Sequence, residues 1–143
     1  FGRKGQIDMN NPLDRAAIIA GLEDRQGWQL TPEDASFQVI EKNYLFQNFN
    51  AAFGFMGRVA LIAERANHHP EFHNQYRQVT VRWATHSCGG ITALDLEMAK
   101  ICDQLAVDSG LKAKADPACG GARLSITSPI EESIALQDQP QLW

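Results

Sequence analysis

The chain has 143 residues, and its 13 lysines and arginines against 17 aspartates and glutamates give a formal net charge of −4. This length predicts one domain, or one domain with a tail, that buries about two-thirds of the unfolded chain's surface. With 44% hydrophobic and 21% charged residues, the composition excludes a mostly disordered or low-complexity chain. The sequence has no apolar run long enough to cross a bilayer, and its acidic balance argues against binding nucleic acid through the phosphate backbone.

Cysteine usage and the first residue bear on the cellular compartment. Cys88, Cys102 and Cys119 are too few and too scattered for a disulfide framework, which favours reduced thiols and a cytoplasmic protein. No Cys-x-x-Cys pair is present, so a structural zinc site is not expected. Because the chain begins at Phe1 rather than at methionine, we interpret residues 1–10 as a disordered leader or a remnant of expression. The alternative interpretation, that a targeting segment has been removed, stays open.

The first predicted element is a helix over about 11–25. Asn11 is its expected cap and Pro12 occupies its first helical position. The expected apolar stripe of this helix contains Leu13, Ala16, Ala17 and Ala20. Two strands are predicted next, over 28–30 and 36–46, because these segments are rich in aromatic and β-branched residues.

A second helix is predicted from a cap at Asn48 or Asn50 to about Asn67, where Pro70 prevents its continuation. Two neighbouring apolar rows follow helical spacing; one is Phe49, Phe53, Met56, Ala60 and Ala63, and the other is Ala52, Phe55, Val59 and Ile62. They predict a wide buried face. Because such a face is too apolar for one sheet to cover, we also expect a homo-oligomer.

The second half of the chain predicts a strand pair and a third helix. An edge strand is expected over 72–76, and alternation of apolar and polar residues predicts another strand over 79–83. Thr92 is the expected cap of the third helix, with Asp95 at the third helical position as in a capping box. Gly110 is the expected stop.

These elements assign one domain to residues 11–108. The remaining residues, 109–143, hold three of the six prolines and are interpreted as an extension without assigned order, with one strand expected over 122–126. The element order α-β-β-α-β-β-α predicts an α+β fold, with the helices on one face of an antiparallel sheet.

All four histidines, His68, His69, His73 and His86, lie within 19 positions of the sequence. Histidine both donates and accepts protons near neutral pH, and two of these residues stand where a helix is predicted to end. A third, His86, stands at the end of a predicted strand, just before a Gly-Gly turn. This clustering predicts a cleft with several proton-transfer groups.

Three other interpretations stay open from the residues alone. The first is that these are ordinary surface histidines. The second is a metal site on His69 and His73, whose i, i+4 spacing suits zinc on a helix, although Pro70 interrupts that helix. The third is a hydrolase that pairs His86 with Cys88, although the sequence has no Gly-x-Ser-x-Gly motif.

The spacing of the polar residues resembles one family in particular. The order is a carboxylate, three spacers, a His-His-Pro triplet, five spacers, an aromatic residue, nine spacers, a histidine, eight spacers and an aspartate, carried here by Glu64, His68, His69, Pro70, Tyr76, His86 and Asp95. This pattern is similar to that of the pterin-4a-carbinolamine dehydratase family. The resemblance extends over about residues 12–107.

The resemblance implies a fold and a reaction. The fold is a four-stranded antiparallel sheet with three helices packed on one face. The reaction is a lyase step that dehydrates 4a-hydroxytetrahydrobiopterin to quinonoid dihydrobiopterin by histidine general acid–base catalysis, and regenerates the pterin cofactor of aromatic amino acid hydroxylases. It needs no metal and no redox cofactor.

The resemblance also implies roles for single residues. His68 and His86 would form the acid–base pair at the 4a-hydroxyl, and His69 would bind and orient the pterin ring. The residues expected to line the substrate are Pro70, Phe72, Thr85, Ser87 and Cys88, of which Phe72 stands where the family often has tryptophan. Glu64, Tyr76 and Asp95 would support the site.

Partners are implied only by the resemblance. Family members assemble as homodimers or homotetramers. Some also stabilise the dimer of a homeodomain transcription factor, which gives a non-enzymatic interaction module as the alternative function. An aromatic amino acid hydroxylase is a further conceivable protein partner, but this sequence carries no sign of either protein.

Overall fold

The computed structural model describes residues 11–112. The elements in this range follow the predicted order, as α1 (Arg15–Leu22), β1 (Gln29–Leu30), β2 (Ile40–Leu45), α2 (Phe49–Ala66), β3 (Glu71–Gln75), β4 (Gln78–Trp83) and α3 (Ala93–Asp108). The predicted leader 1–10 and strand 122–126 lie outside the described residues, as does most of the extension 109–143. No helix within 11–112 combines the length and apolar character that crossing a membrane requires.

The four strands form one antiparallel sheet in the order β1-β2-β4-β3, which confirms the predicted fold class. Ile40, the first residue of β2, pairs with Trp83, the last residue of β4. Glu71, the first residue of β3, pairs with Arg82 beside it. Segments that precede β2 and β3 therefore meet the segment that follows β4 at one end of the sheet.

Alternation along β4 separates the two faces of the sheet. Val79, Val81 and Trp83 are fully buried under the helices, whereas Thr80 and Arg82 between them are only partly covered. This period of two is the signature of a strand with one face on the core. The helices supply the opposite wall of that core, chiefly through Ala52, Phe55, Val59 and Ala63 of α2 and Met98, Ala99, Cys102 and Ala106 of α3.

The two apolar rows of α2 have different environments. The row with Phe55 and Val59 is buried, as predicted. In the other row, Phe49 is 47% exposed and Phe53 is 60% exposed. The prediction of a single wide buried face was therefore wrong, because Phe49 and Phe53 are left uncovered and only Ala63 of their row is buried.

Helix α1 starts later than predicted. Asp14 is its N-cap, with a side-chain oxygen that accepts from the Ala17 amide at 2.8 Å. The expected cap and first turn at Asn11 and Pro12 were wrong, because Pro12 forms an extended bridge with Thr92 instead. The buried residue of α1 is Ile18, and the predicted alanine stripe is exposed.

Strand β2 begins at Ile40 rather than at residue 36. The Val39 amide donates to the Thr31 hydroxyl at 3.1 Å, and the Thr31 amide donates to the Val39 carbonyl. This local pairing ties the segment before β2 to the loop after β1. Residues 36–39 are thus held as a loop at the end of the sheet where β2 begins and β4 ends.

The capping box of α3 is confirmed. The Asp95 carboxylate accepts from the Thr92 amide at 2.9 Å, and Thr92 and Asp95 are both fully buried. The helix ends at Asp108, and Gly110 follows with φ of 92°, a left-handed conformation that glycine adopts without strain.

Candidate active site

Three chain segments converge where β4 ends. His68 and His69 follow α2 and precede β3, and His86 follows β4 in a short 3₁₀ turn, His86–Cys88. Residues 36–39 approach from the start of β2. The antiparallel register therefore joins histidines that are 17 to 18 residues apart in the sequence.

The turn into the histidine pair is made by Asn67. This residue adopts the left-handed conformation, with φ of 51° and ψ of 43°, and its amide donates to the carbonyls of Ala63 and Glu64. Asparagine tolerates this conformation better than most residues. Helix α2 therefore ends at Ala66 with Asn67 as its C-cap, so the helix stops before Pro70 is reached.

His68 is the most enclosed of the histidines. Its Nε2 lies 2.5 Å from Oδ1 of Asp95, and its side chain is 11% exposed while that of Asp95 is fully buried. The imidazole also stacks on the Trp83 ring, with centroids 5.5 Å apart and planes at 14°. One contact fixes the direction of Nε2 and the other fixes the plane of the ring.

The Asp95 carboxylate is held on its other oxygen as well. Oδ2 accepts from the Thr85 hydroxyl at 2.7 Å, from the Thr92 amide at 2.9 Å and from the Thr92 hydroxyl at 3.3 Å. The two threonine hydroxyls are also 2.9 Å from each other. A buried carboxylate with all of these donors is satisfied and cannot rotate freely.

His69 and Glu64 form an exposed counterpart of the His68 pair. Their atoms Nε2 and Oε1 are 2.8 Å apart, but the side chains are 58% and 79% exposed. Solvent weakens such a pair, whose contribution to stability is at most about 1 kcal/mol. This pair orients the His69 ring while leaving it open to a ligand.

His86 packs on an aromatic residue that the sequence analysis missed. Its ring lies 5.2 Å from the Phe37 ring at an angle of 34°. His69 and His86 both line a shallow depression that is open to solvent. Its other lining residues are Val39, Glu71, Arg82, Trp83 and Ala84. No local sequence pattern indicates this contact, because it depends on the pairing of Ile40 with Trp83 at the end of β4.

Arg82 is a second residue of the depression that the sequence analysis missed. It lies between two carboxylates, with Nε 3.0 Å from Glu41 and Nη1 3.2 Å from Glu71. All three belong to neighbouring strands on the uncovered face of the sheet. Of these three, Arg82 and Glu71 line the depression.

The loop after β4 contains three residues that were expected to line the substrate, and they differ in exposure. Thr85 is 8% exposed, its hydroxyl donates to Asp95, its amide donates to the Gly90 carbonyl and its own carbonyl accepts from the Cys88 amide. Ser87 is exposed and Cys88 is half-buried. The polar groups of Thr85 are therefore engaged within the protein, whereas Ser87 faces solvent.

Two further predicted substrate residues lie at the start of β3. Pro70 is half-buried beside the histidine pair. Phe72 is half-buried and packs against the hydrophobic core, opposite Val81 of β4.

Tyr76 does not lie with the other site residues. It occupies the β3–β4 turn with φ of 53° and is 63% exposed. The five residues of β3 separate it from the histidines, a distance of about 17 Å along the strand. The hairpin thus places Tyr76 at the opposite end of the sheet from the histidines of the same chain, and its supporting role stays a prediction.

The metal and hydrolase interpretations gain no geometric support. His73 lies on β3 and His69 in the preceding turn, so they do not share a helical face. Across residues 11–112, no group of three or more histidine, cysteine, aspartate or glutamate side chains is arranged to hold a metal ion. The Cys88 thiol contacts the Thr85 carbonyl at 3.5 Å rather than an imidazole.

Comparison with known proteins agrees with the resemblance found in the sequence. A family model described as pterin 4 alpha carbinolamine dehydratase matches residues 11–105. The chain belongs to this family. The match contains every one of the histidine and carboxylate residues described above.

Two relatives in the dehydratase family match this chain over most of their own length. A protein of Bradyrhizobium sp. (strain ORS 278), provisionally named a pterin-4-alpha-carbinolamine dehydratase, is 47% identical over 94 residues, which are 66% of this chain and 91% of that protein. A protein of Bordetella avium (strain 197N) with the same provisional name is 48% identical over 83 residues, covering 58% of this chain and 74% of its own length.

A solved structure gives the same fold. The crystal structure of a transcriptional coactivator/pterin dehydratase from Brucella melitensis has a TM-score of 0.62 and 38% sequence identity, and the match covers 67% of this chain and 99% of that one. The dehydratase family fold and the predicted element order therefore agree.

Proposed function

We propose that this chain dehydrates a 4a-hydroxytetrahydropterin to the quinonoid dihydropterin by histidine general acid–base catalysis. The observation that carries the proposal is the shared depression lined by His69 and His86, next to a third imidazole, His68, that Asp95 holds. Membership of the pterin 4 alpha carbinolamine dehydratase family supports the reaction type. In species that make tetrahydrobiopterin, the proposed substrate is its 4a-hydroxy derivative.

The reaction needs two proton transfers and no electron transfer. The C4a–O bond breaks as the hydroxyl gains a proton and leaves as water, and the N5–H bond supplies the electron pair of the new C4a=N5 double bond. One imidazole donates the first proton and another accepts the second. We assign these two steps to His68 and His86, since general acid–base groups of this kind each contribute about 10²- to 10⁴-fold.

The remaining residues bind the ring. His69, tethered to exposed Glu64, orients the pterin, and Pro70 and Phe72 border it. The exposed Ser87 and the half-buried Cys88 contact its polar edge. Phe37 belongs to this set as the residue that packs on the His86 ring.

The test is the rate of dehydration of a synthetic 4a-hydroxytetrahydropterin, followed by absorbance at neutral pH. We expect the wild-type chain to accelerate the reaction over the spontaneous rate, and His86→Ala to lower kcat by at least about 10²-fold. His73→Ala is the matched control, because His73 lies on the same sheet, is exposed and is outside the depression. Equal rates for the two variants would contradict the role of His86.

We further propose that the chain forms a homo-oligomer through the exposed row of α2. Phe49 and Phe53 are 47% and 60% exposed, and their rings are 5.7 Å apart. Aromatic side chains adjacent on one helix face make a surface that favours burial. Light scattering should give a dimer or tetramer for the wild-type chain and a smaller species for Phe53→Gln. A monomeric wild-type chain at micromolar concentration would contradict this assembly.

A non-enzymatic interaction role is the second candidate. The observation that favours it is the relative from Brucella melitensis, which is described as a transcriptional coactivator as well as a pterin dehydratase. Such a role would use surface apart from the histidines. Binding to a purified transcription factor dimer or aromatic amino acid hydroxylase should then survive His86→Ala, whereas pterin dehydration should not.

A further inference from the structure

The buried carboxylate of Asp95 has more donors than helix capping requires. A capping box needs only the N-cap residue and the third helical residue, here Thr92 and Asp95. The Thr85 hydroxyl is an additional donor to Oδ2 at 2.7 Å, and it comes from the loop after β4, ten residues earlier in the chain. This hydrogen bond is therefore not part of the cap that begins α3.

The donors divide between the two carboxylate oxygens. Oδ2 accepts from Thr85 and Thr92, and Oδ1 is left for Nε2 of His68 at 2.5 Å. An ionised carboxylate only accepts hydrogen bonds, so the imidazole must present its N–H at Nε2. In neutral imidazole the other nitrogen, Nδ1, is then the bare acceptor.

The packing of the His68 ring restricts its rotation. The Trp83 indole stacks on the His68 imidazole at 14°, and the His68 side chain is 11% exposed. Rotating the ring to offer Nδ1 to Asp95 would break the bond to Nε2. The carboxylate position thus sets the tautomer, provided that the carboxylate itself is held in place.

We propose that Thr85 is a positioning residue for the dehydration. Its hydroxyl anchors Oδ2 of Asp95, which keeps His68 in the tautomer with the proton on Nε2 and leaves Nδ1 to exchange protons with the substrate. This role rests on the proposed function and replaces the direct substrate contact expected for Thr85. The same reasoning makes Thr92 the second anchor of the carboxylate.

The test compares Thr85→Val, which keeps the shape but removes the hydroxyl, with Thr85→Ser, which keeps the hydroxyl. We expect Thr85→Val to lower kcat about tenfold, the equivalent of one hydrogen bond, with KM changed less. Thr85→Ser should restore kcat to within about twofold of wild type. Wild-type kcat in a folded Thr85→Val variant, or a loss as large in Thr85→Ser, would overturn the proposal.

A second measurement reads the tautomer without reference to turnover. The ¹⁵N shifts of His68, recorded where the spectrum itself shows a neutral ring, should report the proton on Nε2 in the wild type and in Thr85→Ser. Thr85→Val should give a mixture. A wild-type ring with its proton on Nδ1 would overturn the proposal even if Thr85→Val failed to fold. Absence of dehydration with the expected tautomers would instead contradict the proposed function and remove Thr85's role in it.

Discussion

Helix α3 carries two carboxylates that gather several donors each, and their partners differ. Near its start, Asp95 binds an imidazole and two threonines, and it is fully buried. Near its end, Asp103 accepts from the Lys42 ammonium at 2.7 Å and the Tyr44 hydroxyl at 2.6 Å. The side chain of Asp103 is 28% exposed.

The Asp103 cluster ties the helix to the sheet. The indole of Trp28 also donates to it at 3.1 Å, and Lys42 makes a second bond to the carbonyl of Gln26 at 2.6 Å. Burial, and then the bond to Asp103, raise the pKa of Tyr44 well above its ordinary value. These contacts join α3 to β2 and to the segment before β1, so the cluster is a structural contact.

The two carboxylates differ in the kind of side chain that they hold in place. Both carboxylates accept hydrogen bonds from partly or fully buried groups, but only Asp95 has an imidazole, that of His68, among its partners. Removing Asp95 should therefore affect turnover, and removing Asp103 should affect stability.

The largest expected effect is that of Asp95→Asn on kcat. The amide has one acceptor and one donor in place of two acceptors, so either His68 or the threonine anchors lose their partner. A hydrogen bond to a charged group is worth about 1.5–3 kcal/mol, which corresponds to a loss of about 10- to 100-fold in kcat. Dehydration assays on the folded variant measure it, and a rate within twofold of wild type would refute it.

Asp103→Asn should lower the free energy of unfolding by about 2 kcal/mol, because the charged partner of Lys42 is lost. Its kcat should stay close to that of the wild type. Urea denaturation and the dehydration assay measure the two quantities, with exposed Asp108→Asn as the control on the same helix. A loss of turnover without a loss of stability would break the distinction between the clusters.

Alkaline pH should destabilise the protein through the region around Asp103. Burial raises the pKa of the Cys102 thiol from 9.0 to about 12, and that of Tyr44 is raised from 10.0. The unfolded chain therefore loses these protons first, so stability is complete below about pH 9 and falls as the pH rises. Above the pKa of its unfolded form, each group lowers the free energy of unfolding by about 1.4 kcal/mol per pH unit.

Urea denaturation at about pH 8 and about pH 10.5 measures this decline. Cys102→Ala should reduce the slope by the share of one group, since Cys102 is the first of the two to ionise in the unfolded chain. Constant stability over this range would show that the native protein releases the same protons as the unfolded chain.

The smallest effect is expected for Glu64→Gln. The pair with His69 is largely exposed, so its loss is worth at most about 1 kcal/mol, or about fivefold in kcat/KM. Added salt should shrink the difference from wild type further, because it screens exposed charges. An effect as large as that of Asp95→Asn would mean that exposure is not what separates the two histidine–carboxylate pairs.

Local signals carried most of the fold. The capping box at Thr92 and Asp95, the alternation along β4 and the helical spacing in α2 are short-range patterns, and each predicted its element. The start of α1 was predicted wrongly because Pro12 pairs with Thr92, which is distant in the sequence, and a local sequence pattern does not indicate such a contact.

The candidate site could be predicted from the sequence as a set of histidines, but the contacts of its side chains could not. The bond between Thr85 and Asp95 and the packing of Phe37 on His86 depend on the sheet register. Tyr76 matched the family spacing, yet the hairpin carries it away from the other residues. Spacing along the chain does not reveal which end of a strand a residue occupies.

A double-mutant cycle between His68 and Asp95 tests most directly whether this pair acts as one proton-transfer unit. We expect His68→Ala and the double variant His68→Ala/Asp95→Asn to have the same kcat, because Asp95 would act only through the imidazole. Independent effects that multiply in the double variant would contradict this expectation.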